Sequence, residues 1–184
     1  MKKTKKRNAF SGIIELISCS PHGEPEGVVL DDGSFVKVPP HSLKAKDLFK
    51  IGAAVKGSGE LLTEVPNKVF HHVKLLQGQK VLADDSMKKQ ARETLKDLHK
   101  KEMENIKEAP SKKMKLSGVI AAVGTKPKGE VDRLIFIDGT SVHLKKDIDL
   151  SIKDVQIGDI FEVRGKSRRY NESLFFKAES VRHL

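Results

Sequence analysis

Short runs of alternating apolar and polar residues, broken by Gly, Pro and Asp, mark this chain. Val28, Leu30, Val36 and Val38 fall on one side of two such runs, and Val29, Phe35 and Lys37 on the other. Alternation with period two is the pattern of strands with one face in a core. Asp32-Gly33 between the runs predicts a hairpin, because Gly tolerates the positive φ that a tight turn needs. The pattern predicts five strands here: Phe10–Ile17, Gly27–Asp31, Ser34–Val38, Ala53–Gly59 and Lys68–Leu75. A second set follows at Leu116–Val123, Arg133–Ile137, Thr140–Leu144, Asp159–Gly165 and Leu174–Val181. Within it, Ile148–Gln156 reads as a connection with one helical turn.

The two sets are related. Residues 10–75 align with 116–181 at a constant offset of 106 without a gap, and 13 of the 66 positions are identical. The shared residues are turn and core formers: Ser11-Gly12, Pro21-x-Gly23-Glu24, Asp32-Gly33, Ile51-Gly52 and Gly59. Such an internal repeat predicts one fold used twice. Five strands in about 65 residues, with the long connection between the third and fourth, predict a small closed barrel of the OB type. The expected fold is therefore mainly β, with two tandem five-stranded OB-like barrels joined by a charged α-helix.

Residues 1–8 form a basic tail, 9–76 the first barrel, 77–115 the connector and 116–184 the second barrel. In the connector, Asp84, Asp85 or Ser86 can cap a helix, and Pro110 lies just beyond its end. Met87, Ala91, Leu95, Leu98 and Ile106 recur at helical spacing. A helix over 86–109 would be about 36 Å long. Its apolar stripe is too short for a coiled coil, which favours a connector over a dimerising element.

The string from Ser20 to Ser42, with Pro21-His-Gly-Glu, Asp31-Asp-Gly and Pro39-Pro-His, resembles an uncharacterised bacterial OB-fold family. So does the strand Gly158-Asp-Ile-Phe-Glu-Val-Arg-Gly165. The resemblance covers both repeats but neither the tail nor the connector. The second copy departs from it at Lys145-Lys146-Asp147 and Lys128, and the first at Ala53. The resemblance implies a barrel of the nucleic-acid-binding kind and no established activity.

Composition changes this picture in two ways. The net charge is +10, which points to an anionic partner, with nucleic acid ahead of a membrane surface. The excess lies mainly outside the barrels. Residues 1–8 contribute +5 through Lys2, Lys3, Lys5, Lys6 and Arg7; residues 9–76 contribute −1, 77–115 contribute +4 and 116–184 contribute +2. No run of about 18 apolar residues exists for a membrane span. Cys19 is the single cysteine, so no internal disulfide forms. The basic tail before Leu16-Ile17-Ser18-Cys19 looks like a lipoprotein signal, but Glu15 breaks its apolar segment. A cytoplasmic location is expected.

OB barrels bind nucleic acid across strands two and three and the loops joining strands one to two and four to five. In the second copy these positions hold Lys126, Lys128, His143, Arg164, Lys166, Arg168, Arg169 and Tyr170. Cations attract phosphates, while Tyr170 and the Arg planes offer stacking surfaces. The first copy offers Phe35 and Lys37, beside an acidic and apolar loop at Glu60–Glu64. The expectation is salt-dependent, non-enzymatic binding of single-stranded RNA or DNA, mainly through the second barrel and the tail. The alternative is a protein adaptor, with contact through Leu61 and Leu62 of the first barrel and charge serving solubility. No phosphate-binding loop, dinucleotide fingerprint or nucleophile elbow occurs, and no cofactor or metal is expected. His71 and His72, adjacent in a strand, should face opposite ways and not share a ligand.

Overall fold

The computed structural model describes residues 5–171 and 173–184; Lys2 and Lys3 of the tail lie outside the described residues. The elements in chain order are β1 (Asn8–Cys19), β2 (Pro25–Leu30), β3 (Phe35–Lys37), β4 (Ala54–Thr63), β5 (Val69–Gln77), β6 (Lys80–Asp84), α1 (Lys89–Met103), β7 (Lys112–Thr125), β8 (Val131–Phe136), β9 (Ser141–Leu144), β10 (Ile160–Tyr170) and β11 (Ser173–His183). The first sheet runs β3-β2-β1-β4-β5-β6 and closes through a parallel pairing of β3 with β5. The second runs β10-β11-β9-β8-β7, closed by β10 on β7, with β9 and β11 parallel. The chain is thus mainly β, two closed five-stranded OB-like barrels with one helix between them.

Hydrogen bonds recur at the offset of 106. Leu30 N–H donates to Ser34 O and Gly33 N–H to Leu30 O; Phe136 donates to Thr140 and Gly139 to Phe136. Gly33 and Gly139 stand at φ 81° and 86°, which closes each three-residue loop at little steric cost. Asp32 and Asp138 each accept the amide two residues on, at 2.9 Å.

Each barrel has its own core. Ile14, Val28, Leu30, Val36, Val38 and Phe70 fill the first, as the alternation predicts; Ile120, Leu134, Phe136, Val142, Phe161 and Phe176 fill the second. A third cluster is not legible from alternation. Val29, Phe35 and Val69 of the first barrel meet Ala122 and Ile135 of the second, with Leu16 beside them. The two barrels pack through the outer faces of β2–β3 and β7–β8. There is no room to spare: a Cβ on Gly124 would lie 2.9 Å from the Phe35 ring.

The connector differs from expectation. Its first residues form β6, which pairs with β5 and buries Leu82 and Ala83. The helix has 15 residues, about 22 Å, and is much shorter than the stretch from 86 to 109. Asp84 bonds to Ser86 and Asp85 is buried between histidines, so neither caps it; Lys88 is the N-cap. No residue of α1 is buried. Its half-buried stripe is Arg92, Leu95, His99 and Met103, while Ala91, Leu98 and Ile106 are exposed. Polar contacts such as His99 to Glu24 at 3.1 Å hold α1 beside the half-buried Leu95 and Met103.

Candidate nucleic-acid interface

Three of the expected site residues lie between the barrels. Phe35 is fully buried, so its ring is not available to stack on a base. Lys37 Nζ faces Asp132 at 3.5 Å, and His143 Nε2 stands 3.4 Å from Glu26. Lys37 and His143 are equivalent at the offset of 106, as are Glu26 and Asp132. The contact is therefore reciprocal, like the isologous interface of a symmetric dimer. Arg133 completes it. It is 3% exposed, reaches Glu26 at 2.9 Å and lies 5.6 Å over the Phe35 ring.

Burial and charge set the proton states here. Burial pushes the His143 pKa well below its ordinary value, and the Arg133 cation adds to this. Burial opposes ionisation of Asp132, but Lys37 and Arg133 outweigh it and lower its pKa. The faces that OB barrels commonly use for strands are thus spent on joining one barrel to the other. That corrects the expectation for Phe35, Lys37 and His143, and its cause is tertiary: residues exposed on one barrel are covered by the other.

The loop residues are spread over several settings. The Tyr170 hydroxyl donates to Pro21 O and accepts from Ala109 N–H. Its ring lies so close over Gly23 that a Cβ there would collide with it. Tyr170 is thus a clasp between the barrels and not a free stacking platform. Arg168 pairs with Glu108, which also faces His22 at 3.7 Å. Lys126 is paired with Glu130 at 2.8 Å. Arg164 lies 3.5 Å from Glu162, which also receives Lys115 at 2.7 Å. Lys128, Lys166 and Arg169 are exposed. In the tail, Lys5 pairs with Glu60, and Arg7 bonds to Ser58 and to the His72 carbonyl.

What the strand pattern does not reveal is a row of lysines. Register places Lys166 opposite Lys113 on β7 and opposite Lys177 on β11. All three are exposed, and none has a carboxylate partner among the described residues. Like charges directly opposite one another destabilise a sheet, so the row is an electrostatic load on the fold. Lys166 and Lys177, with Lys145, Arg168, Phe175 and Glu179, line a hollow of about 300 Å³. Lys113, Lys145 and Lys177 can be found only with the pairing in hand. The chain has no match among protein-family models, curated proteins or solved structures.

The first barrel also differs from its sequence-based image. Phe10 and Phe70, 4.9 Å apart, lie in an open groove of about 630 Å³ with Lys56, Lys68 and Lys74. The positions 106 residues on are Leu116, Phe176, Glu162, Leu174 and Ser180, so the second barrel has no counterpart of this groove. Leu61 is half-buried on the first core and is not a free contact point. Cys19 is fully buried, and burial pushes its thiol up to about 11. His71 and His72 do not diverge. An irregularity in the β4–β5 pairing turns both rings toward one cavity. Among the described residues no helix is long and apolar enough to cross a membrane.

Proposed function

We propose that the chain binds single-stranded nucleic acid along the outer sheet of the second barrel, with the phosphates on Lys113, Lys166 and Lys177. The row of three cations across β7, β10 and β11, without a carboxylate partner among the described residues, carries this reading. Neighbouring strands lie about 4.8 Å apart, so the row presents closely spaced charge to a polyanion. Arg168 and Lys145 border it. The faces between the barrels take no part.

Fluorescence anisotropy with labelled single-stranded RNA and DNA, at about 50 and 200 mM salt, tests it. Replacing Lys113, Lys166 and Lys177 together by Ala should weaken binding at low salt at least tenfold. It should also make the salt slope shallower by about two, since each phosphate neutralised on a single strand adds roughly 0.7 to the slope. Unchanged affinity and slope would overturn the reading. Substituting Lys56 and Lys74 in a separate variant measures what the first barrel's groove contributes.

A protein-contact reading is favoured by one other observation. Ile13, Ile51 and Ile137 are exposed and lie together on a shallow patch that spans both barrels. It becomes the better reading if the parent chain binds neither RNA nor DNA at the lower salt concentration.

A further inference from the structure

Between α1 and the first barrel, with Pro127 of the second at its edge, lies a cavity of about 410 Å³ that the strand-binding reading does not use. His41, His71, His72, Asp85 and Glu26 line it from the first barrel, with Lys37, which is paired to Asp132, and Arg92 and Lys96 line it from the helix. Two consecutive histidines share it because His72 stands at φ 49°, a left-handed conformation that side chains rarely adopt. The two rings are 6.3 Å apart, and the Arg7 guanidinium donates to the His72 carbonyl at 2.9 Å.

The barrel side of the cavity is rich in acceptors. Burial opposes the charge on Asp85, but hydrogen bonds from His41 and His72 outweigh it and hold the carboxyl at about 2. A carboxylate only accepts, so the protons sit on His41 Nε2, 3.2 Å away, and on His72 Nδ1, 3.0 Å away. Asp85 thus occupies one ring nitrogen of each, and leaves His41 Nδ1 and His72 Nε2 for another partner. His71 is 5% exposed and its Nε2 has no hydrogen-bond partner. Glu26 Oε2 has none either; His143 Nε2 lies 3.4 Å from it without the geometry of a hydrogen bond. Buried polar atoms in folded proteins are nearly always paired, so the carboxylate oxygen calls for a donor and the imidazole nitrogen for a partner, which a hydroxyl can be in either sense.

The helix side is cationic. Arg92 and Lys96, four residues apart, share one face of α1. The ion pairs of α1 are Lys89–Glu93, His99–Glu24 and His99–Glu102. They leave Arg92 and Lys96 without a carboxylate among the described residues. A ligand that satisfies both sides needs an anionic group and hydroxyl donors.

We propose that this cavity binds a ribose-phosphate unit, with its phosphate on Arg92 and Lys96 and its hydroxyls on the ring nitrogens of His71 and His72. The volume suits a ligand of this size. The proposal uses residues apart from the lysine row, so failure of strand binding there leaves it standing.

Calorimetric titration of the full chain at neutral pH tests it, with adenosine 5′-monophosphate, its 2′-deoxy analogue and inorganic phosphate as probes. The ribonucleotide should bind about tenfold more tightly than phosphate and about fivefold more tightly than the deoxy form. Replacing Arg92 and Lys96 together by Ala, neither of them in a core, should weaken it at least tenfold. His71→Leu should abolish the preference over the deoxy form. If that variant does not fold, the helix variant carries the test. A 5′-phosphorylated RNA tetramer that competes places the unit at a chain end, and one that does not places it on a free nucleotide; both support the site. No heat with any probe, equal affinity for phosphate and ribonucleotide, or an unaffected helix variant overturns the proposal.

Discussion

His71 shows how a single residue ties burial to pH. Burial, with Lys37 nearby, lowers its pKa to about 3 from the ordinary 6.5. Between these values the unfolded chain binds a proton there that the folded chain does not, so stability falls as pH falls. The loss is about 1.4 kcal/mol per pH unit for one such group. His143 is shifted in the same direction and adds to it. Asp85 acts elsewhere: its carboxyl lies at about 2, below the ordinary 3.8, so the stability it contributes is lost only as pH falls through that lower window. Urea midpoints should drop steadily from about pH 6.5 to about pH 4, and His71→Gln should flatten the slope; an unaltered slope would assign the effect to other groups. Tyr170→Phe should cost about 1–3 kcal/mol by the same measurement, since Pro21 O and Ala109 N–H are left without their partner. Neither role can be read from the sequence. Tyr170 reads as a stacking platform because a hairpin tip is normally exposed, whereas its partners lie 149 and 61 residues away.

Among the elements, α1 and the barrel strands belong to different stability classes. The strands close on buried cores, while α1 has no fully buried residue, only the half-buried stripe of Arg92, Leu95, His99 and Met103. A segment with few buried contacts opens locally at little cost. Amide exchange of Lys89–Met103 should therefore be faster than that of β4, β5 and β10, by at least two orders of magnitude. Equal protection would show that α1 is docked as firmly as the strands. The strands are legible because period-two alternation with Asp-Gly turns survives in both copies. The exceptions have local causes. β6 lies where the repeat has ended. Periodicity overextends the helix because its apolar positions read as a packing face, whereas Arg92 and His99 face inward with Leu95 and Met103. Alternation misplaces His72 because it fails at a bulge.

At the scale of the molecule, the two barrels behave like a dimer made within one chain. Lys37 with Asp132 and His143 with Glu26 are the same contact made twice, around a centre of Phe35, Val29, Ala122 and Ile135. Phe35→Ala should cost about 3–5 kcal/mol, as truncation of a buried aromatic does. Because the loss falls between the barrels, the thermal transition should broaden or split into two. A single sharp transition at a lower temperature would mean that the barrels unfold as one unit regardless of this contact.

The two barrels, their turns and their cores are legible in the amino-acid order, because they rest on local patterns: alternation, Asp-Gly loops and an offset of 106. So is the location of the excess charge. Which surfaces are free is set by packing. Whether an outward residue such as Phe35, Lys37 or His143 meets solvent depends on what packs over it, and nothing in the alternation of a strand records its neighbour across a domain boundary. The lysine row and the histidine cavity are likewise tertiary. The row is assembled by strand register within the second barrel, and the cavity by the packing of α1 on the first.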